Sequence, residues 1–214
     1  MALDVINHIG AVVRAVEDGE RDGKPARAVV ATAEFGTTVD DLWDAITSAE
    51  RIPRWFMPVS GELRPGGHYQ LDGNAGGTIT QCEPPRRLGV TWELGGNISW
   101  VDVELAPKGD ERATLRLEHS SLVEGGEDFW RQFGPGAVGV GWDLALLGLN
   151  LYIERGEGMN PKEAEAWMLS PEGRACIRAS SEAWAEASVA FGTDREAADA
   201  SRDATTAFYT GGEA

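Results

Sequence analysis

Cysteine and histidine are scarce in this chain. Its 214 residues contain two cysteines, Cys82 and Cys176, and three histidines. These side chains stand far apart in the sequence and show no recognisable metal-ligand spacing. The glycine-rich segment 73–77 does not precede a helix, so it is not a phosphate-binding loop. We therefore expect no metal, no nucleotide and no other cofactor. We also expect a cytoplasmic protein with reduced cysteines, because nothing in the sequence supports a disulfide between them.

Positive charge and long apolar runs are also in short supply. Nineteen basic and 35 acidic side chains give a formal net charge of −16, which disfavours nucleic acid and anionic membranes as partners. The first four residues already include an acid and lack the basic region of a secretory signal. The longest apolar stretch, 138–153, is interrupted by Asp143 and Asn150, so we interpret it as too short and too polar to span a bilayer. The sequence predicts no membrane insertion.

Tryptophan, in contrast, is abundant, with eight residues whose large apolar surfaces must be buried or offered to a ligand. The N-terminal part predicts a hairpin, with Val- and Ala-rich runs at 10–16 and 26–35 around a polar loop. A short helix follows, capped by Thr37-Thr38, with apolar residues at the spacing of one helix face. Ser48 opens a second short helical piece, which Pro53 limits in length.

Between residues 59 and 119 the apolar pattern changes to a period of two. Turn residues separate six short runs, which predicts an antiparallel meander. In the fifth run, Val101 and Val103 share a face opposite Asp102, so one side of the sheet is apolar and the other is wet. The predicted strands are 60–64, 68–72, 78–83, 88–94, 98–106 and 113–119.

A long helix is predicted at 138–154, after a loop that is rich in glycine and acidic residues at 120–136. One face of this helix is apolar and would cover the sheet, whereas Asp143 lies toward the opposite, polar side. Each glycine inside a helix costs about 1 kcal/mol relative to alanine. Close packing against another element, or room left for a ligand, would compensate for Gly139, Gly141 and Gly148.

The remaining residues, 157–214, form a segment of different composition. Cap signals at Asn160, Ser170 and Thr193 predict two or three short helices. The segment also contains large apolar residues such as Trp184, so we expect its helices to dock on the domain or on a second subunit in a homodimer. The sequence thus divides into a domain at 1–156 and a helical extension at 157–214.

Several motifs in register carry a resemblance to a known family over roughly residues 25–155. The order of elements resembles the helix-grip fold of the START and SRPBCC superfamily, which the birch pollen allergen shares. It is most similar to the branch named after the C-terminal domain of the activator of the heat-shock protein 90 ATPase. The motifs are Asp41-Leu42-Trp43-Asp44-Ala45-Ile46-Thr47, Arg51-Ile52-Pro53-Arg54-Trp55-Phe56, Gly66-Gly67-His68-Tyr69, Gly77-Thr78-Ile79, Glu83-Pro84-Pro85-Arg86-Arg87-Leu88, Val90-Thr91-Trp92-Glu93 and Leu115-Arg116-Leu117-Glu118-His119.

The resemblance implies an α+β fold: a curved antiparallel β-sheet wrapped around a long C-terminal helix, here with a C-terminal helical extension. It also implies a hydrophobic cavity between sheet and helix, and hence binding of an apolar small molecule such as a lipid, a polyketide or a similar metabolite. It carries over no shared catalytic residue. By position, the residues expected to line the cavity are Trp55, Phe56, Tyr69, Trp92, Val101, Val103, Leu117, His119, Trp142, Ala145, Leu146 and Leu149.

His119 is the single candidate for catalysis. It shares a strand face with Leu115 and Leu117, so its imidazole should point inward, where it could act as a general base or orient a polar group of a ligand. The competing interpretation is a core histidine whose nitrogens bond to backbone or water. Glu93 alternates outward, so no acid–base partner is fixed. An enzyme on this scaffold, such as a cyclase, dehydratase or hydrolase, is therefore an open alternative.

A protein-interaction module is the third function that the resemblance allows, in the manner of a co-chaperone or of a bacterial-type stress or metabolite protein. The eukaryotic activator needs a separate N-terminal domain, which the 25 residues before the fold do not supply. The motif of the Asn-Trp-His-Trp type is also absent from this sequence. We therefore expect no stimulation of a heat-shock protein 90 ATPase by this chain.

Overall fold

The computed structural model describes residues 5–156, 158 and 161–212. The strands are β1 (Val13–Arg21), β2 (Lys24–Phe35), β3 (Val59–Gly61), β4 (His68–Leu71), β5 (Gly76–Glu83), β6 (Arg87–Leu94), β7 (Asn97–Pro107) and β8 (Ala113–Leu122). The helices are α1 (Val5–Ala11), α2 (Val39–Thr47), α3 (Glu127–Phe133), α4 (Gly136–Arg155), α5 (Pro161–Met168), α6 (Pro171–Phe191) and α7 (Arg195–Thr210), with a 3-10 helix at Ile52–Arg54.

The eight strands form one curved antiparallel sheet in the order β1-β2-β8-β7-β6-β5-β4-β3. Strands β3 to β8 are a meander, since each pairs with the next along the chain. A sheet of this kind followed by long helices confirms the predicted α+β, helix-grip class. The predicted strands at 68–72, 88–94 and 98–106 agree with β4, β6 and β7 to within one residue at each end.

Two local predictions were wrong. The segment 120–136, predicted as a loop, contains α3. This helix has only seven residues between Gly126 and Gly134, so the helical spacing of Phe129, Trp130 and Phe133 is a short signal inside a glycine-rich stretch. The first hairpin has a two-residue turn at Asp22-Gly23 in place of the long polar loop at 17–25. Both turn residues have positive φ, 52° and 74°, as a type I′ turn requires, so the polar residues on either side of it continue the strands.

The described residues group into two compact units. We call Thr32–Ser120 with Gly148–Pro161 the sheet unit, and the described residues of 1–31, 121–147 and 162–214 the helical unit. Each unit combines stretches that are distant in the sequence. The predicted boundary between residues 156 and 157 stays a prediction, because compactness alone does not show which segments fold independently.

In the sheet unit, α2 begins as the sequence predicted. The Thr38 hydroxyl accepts a hydrogen bond from the Asp41 amide at 3.2 Å, which caps the helix. Arg51 then ties three elements together: it donates to the carboxylates of Asp41 and Asp44, at 2.9 Å each, and to the Tyr152 hydroxyl at 3.0 Å. The two ion pairs hold α2, and the hydrogen bond to Tyr152 holds the end of α4, on the turn before the 3-10 helix.

In the helical unit, α6 packs on α1, β1 and α7. Its buried face carries Cys176, Ile177 and Trp184, all 0% exposed. The predicted cap Ser170 is present: its side chain accepts from a backbone amide at the start of α6. At α7 the prediction of Thr193 as the cap was wrong by one residue, because the Asp194 side chain accepts from the amides of Glu196 and Ala197. The third predicted cap, Asn160, lies outside the described residues.

Helix α4 is long and apolar enough to cross a membrane by length and composition, contrary to the estimate from the sequence. However, 67% of its most apolar 18-residue window is buried inside the structure. A core helix of a soluble protein has these same properties, so the apolar character of α4 is weak evidence for a membrane span.

Candidate functional site

A cluster of apolar side chains lies on one face of the sheet unit; we call it the inner cluster. Its buried centre is Tyr69, Leu71 and Ile79. Around this centre lie seven apolar residues that are only partly buried: Phe56, Met57, Val59, Cys82, Leu88, Val90 and Trp92.

The ladder of β6, β7 and β8 continues the apolar face next to the inner cluster. Val90 stands opposite Val101, and Val101 opposite His119. In the next row Leu88 stands opposite Val103, and Val103 opposite Leu117. The structure therefore aligns the predicted residues Val101, Val103, Leu117 and His119 on one face, as their alternation predicted.

Two aromatic contacts connect other predicted site residues. The rings of Trp55 and Phe56 stack with centroids 5.4 Å apart, and the Trp55 indole donates to the Ala45 carbonyl at 3.0 Å. Phe56 packs on the buried centre of the inner cluster that includes Tyr69. The ring of Trp92 lies 5.8 Å from that of His119. Seven of the predicted residues thus have a ring or ladder contact with another predicted residue.

The other predicted residues lie on α4. Leu149, 1% exposed, belongs to the sheet unit, whereas Trp142, Ala145 and Leu146 belong to the helical unit. Leu146 and Ala145 are buried, and Trp142 is half-buried. The cavity predicted between sheet and helix stays a prediction.

His119 has a defined hydrogen-bond arrangement. Its Nε2 lies 2.8 Å from the Ser99 hydroxyl, and that hydroxyl donates to the Trp92 carbonyl at 3.1 Å. Because a hydroxyl has one proton to donate, Nε2 must carry the imidazole proton and donate to Ser99. Burial lowers the pKa of His119 to about 4. The imidazole is therefore neutral at physiological pH, with Nδ1 unprotonated.

Ser99 was missed by the sequence reasoning. It stands directly opposite Trp92 in the β6–β7 ladder, and the register set by the Gly95-Gly96 turn would have placed it there. With Ser99, the apolar face gains one polar pair, the Ser99 hydroxyl and the His119 imidazole. Because both protons of the pair are already donated, to Ser99 and to the Trp92 carbonyl, the pair can accept a hydrogen bond from a ligand hydroxyl or accept a proton.

Asp143 was predicted on the side of α4 opposite its sheet-covering face, and the sequence did not reveal that its carboxylate is buried. It is 1% exposed, and its Oδ2 accepts hydrogen bonds from Arg14 at 2.9 Å, from Trp184 at 3.0 Å and from Ser180. Burial raises the pKa of the Asp143 carboxyl, although Arg14 opposes this. Ser180 and Trp184 belong to the C-terminal extension. Asp143 is therefore buried within the helical unit, where it forms an ion pair with Arg14.

The three glycines of α4 are explained by close packing. A Cβ on Gly139 would overlap the Trp184 ring, one on Gly141 would lie 3.0 Å from the Tyr209 hydroxyl, and one on Gly148 would lie 2.6 Å from the Trp55 carbonyl oxygen. Neighbouring groups therefore occupy the space beside each glycine, which settles the choice left open by the sequence in favour of packing.

Among its described residues, the sheet unit has a pocket of about 410 Å³. Tyr69 is the only predicted site residue in its lining, and its hydroxyl donates to the Thr91 carbonyl at 2.8 Å. Burial and the nearby Glu93 raise the pKa of Tyr69, so the phenol stays protonated. Polar side chains and glycines make up the rest of the lining, unlike an apolar cavity: Gly61, His68, Gln70, Gly76, Gly77 and Glu93.

Comparison with known proteins agrees with this architecture. The crystal structure of CalU16 from Micromonospora echinospora is 35% identical, with a TM-score of 0.67 over 83% of this chain and 98% of CalU16. The solution NMR structure of CalU16 gives 34% identity and a TM-score of 0.70, over 86% and 97%. DynU16, a protein from the dynemicin biosynthetic locus, shares the fold at 23% identity and a TM-score of 0.53, over 61% of this chain and 48% of DynU16.

No match was found among the curated proteins. The model of one protein family, described as Activator of Hsp90 ATPase homolog 1-like protein, matches residues 36–154, which is more than half of the chain. The match covers α2, the meander and nearly all of α4. The chain belongs to the family of Activator of Hsp90 ATPase homolog 1-like proteins.

Proposed function

We propose that this chain binds an apolar small molecule, such as a lipid, a polyketide or a similar metabolite, on the apolar face of its sheet unit. The observation that carries the proposal is the inner cluster, whose seven outer members are only partly buried. An apolar surface left open beside a packed centre is characteristic of a ligand-binding site. Membership of the family is compatible with ligand binding and specifies no ligand. A cytoplasmic location and a homodimer stay predictions.

The Ser99–His119 pair supports a more specific expectation about the ligand. It is the polar element next to Trp92 on an otherwise apolar face. A few polar groups in an apolar site fix the orientation of a ligand. We therefore propose a largely apolar ligand with one polar group directed at this pair.

Native mass spectrometry tests the proposal on the full chain as purified and after incubation with fatty acids and aromatic polyketides. We expect one retained molecule per chain, and its loss in Phe56→Ser. Phe129→Ser is the matched control, because Phe129 is an exposed aromatic of the helical unit. Retention that is equal in both variants, or no retention from any source, would contradict the proposal.

A cofactor-free enzyme on the same scaffold is the second candidate, and the geometry of His119 favours it. An imidazole that is neutral at physiological pH, with its tautomer set by Ser99, can accept a proton at Nδ1, as a weak general base because its pKa is about 4. If the retained molecule is converted, His119→Ala should abolish turnover and leave retention intact. Turnover that persists in His119→Ala would remove this candidate.

A further inference from the structure

The turn between β6 and β7 presents two large apolar side chains to solvent. Leu94 and Ile98 are 51% and 55% exposed. Between them, Gly95 and Gly96 have φ values of 60° and 83°, which makes a tight two-residue turn closed by the pair Leu94 and Asn97. We call residues 94–98 the β6–β7 tip. Its two apolar side chains project from the end of a rigid hairpin.

Two tryptophans lie behind this tip at the same distance. Trp92 precedes Leu94 by two residues, and Trp100 follows Ile98 by two. Side chains two apart in a strand share a face and lie about 7 Å apart along it. Each apolar tip residue therefore has a half-buried tryptophan behind it on its own face. The hairpin thus has apolar side chains at its end and tryptophans about 7 Å behind them. A bilayer surface has the same order, with acyl chains inside and a headgroup region outside, where indole rings are favoured.

The charges of the hairpin select the type of lipid. Between residues 88 and 107 the sequence contains no Lys or Arg, and the whole chain carries −16. Anionic headgroups would repel such a surface. Glu93 is exposed and stands directly opposite Ile98, at the same depth. Its carboxylate must stay among the headgroups, so the tip enters no deeper than the boundary between headgroups and acyl chains. A zwitterionic headgroup there offers an ammonium group to this carboxylate.

We propose that the β6–β7 tip docks on a zwitterionic lipid surface, with Leu94 and Ile98 at the boundary between headgroups and acyl chains and with Trp92 and Trp100 at headgroup level. This contact is peripheral and uses no membrane-spanning helix. It goes beyond the proposed ligand binding, because the tip meets lipid whether or not the apolar face holds a ligand.

Co-flotation with phosphatidylcholine vesicles, together with quenching of tryptophan fluorescence by brominated phosphatidylcholine, tests the proposal. The full chain should partition onto the vesicles, and brominated lipid should quench its fluorescence. Leu94→Ser combined with Ile98→Ser should lower partitioning about tenfold, because two half-exposed apolar side chains lose their burial in lipid. Val13→Ser is the matched control, since Val13 is 69% exposed on β1, and it should change partitioning less than twofold.

Three results would overturn the proposal: wild-type protein that stays off phosphatidylcholine vesicles, equal losses in the tip variant and the Val13 control, or tighter binding when phosphatidylglycerol is added. Dimerisation that depends on the tip, seen by sedimentation without vesicle binding, would assign the tip to a second copy instead. Native mass spectra of the tip variant distinguish the two proposals. If the variant still retains a small molecule but does not bind vesicles, the ligand site is intact and only lipid docking has been lost.

Discussion

Burial gives His119 a direct effect on how stability depends on pH. Its pKa of about 4 in the folded chain lies below the value of about 6.5 in an unfolded chain. Between these two values the unfolded state binds a proton that the folded state does not. The stabilisation of the folded state by neutral His119 is therefore complete above about pH 6.5 and is lost as the pH falls toward 4.

The prediction at this residue is a difference between two pH profiles. From pH 7 to pH 4, wild type should lose about 3 kcal/mol of unfolding free energy through His119, and His119→Gln should lack this contribution. Urea unfolding of both proteins at several pH values measures it. Because Asp143 titrates in both proteins, its effect cancels in the difference. A pH-independent difference between the two would show that His119 is not buried as described.

Arg14 and Asp143 form a pair of buried charges, with side chains 6% and 0% exposed. Arg14 also donates to the carbonyls of Val12 and Ile9, at 2.8 Å each. Removal of one partner leaves the other charge buried without compensation, so Arg14→Met should destabilise the fold by about 3–5 kcal/mol. The double variant with Asp143→Leu should be less destabilised than Arg14→Met alone. Chemical unfolding of the single and double variants measures this coupling, and additive losses would contradict it.

At the scale of elements, the contact between α4 and α6 depends on one glycine. Gly139→Ala should destabilise the helical unit by about 1–3 kcal/mol, because overlap with the buried Trp184 ring outweighs the gain in helix propensity. Gly10→Ala in α1 is the control, since a Cβ there meets no atom within 4 Å, and it should leave stability unchanged or raise it. Thermal unfolding of both variants tests this; a Gly139→Ala protein as stable as wild type would show that the helices lie farther apart than described.

The same elements show what the sequence can predict. Strands β4, β6 and β7 were predicted because alternation and turn residues are local signals. Helix α3 was missed because its helical spacing of Phe129, Trp130 and Phe133 extends over only seven residues between two glycines. The period of α4 was recognised, but the environment of Asp143 was not, since Arg14 lies 129 residues away along the chain. A periodic pattern shows which side chains share a face and does not show which distant residue meets them.

At the scale of the whole molecule, the extension is part of the packed structure. Ser180 and Trp184 donate to Asp143, and the Tyr209 hydroxyl donates to the Ala137 carbonyl at 2.7 Å. The sequence predicted docking of these helices from their apolar residues, and α6 and α7 do pack within the helical unit. For the candidate site, the sequence predicted the alignment of His119 with Val101, and it missed Ser99, because only the strand register places a hydroxyl beside the imidazole.

Two tryptophans on neighbouring strands allow a direct test of whether the apolar face of the sheet unit binds an apolar molecule. Trp92 belongs to the inner cluster. Trp100 directly follows Ser99, the β7 residue opposite Trp92, so Trp100 points to the other side of the sheet. Both are half-buried, so replacement by alanine should cost similar stability.

The measurement is an isothermal titration of wild type, Trp92→Ala and Trp100→Ala with the molecule identified by native mass spectrometry, or with a fatty acid or aromatic polyketide that the protein takes up. The account predicts stoichiometric binding to wild type, an affinity at least about tenfold lower for Trp92→Ala, and an affinity within about twofold of wild type for Trp100→Ala. Equal affinities in all three proteins, or an equal loss in both variants, would contradict it.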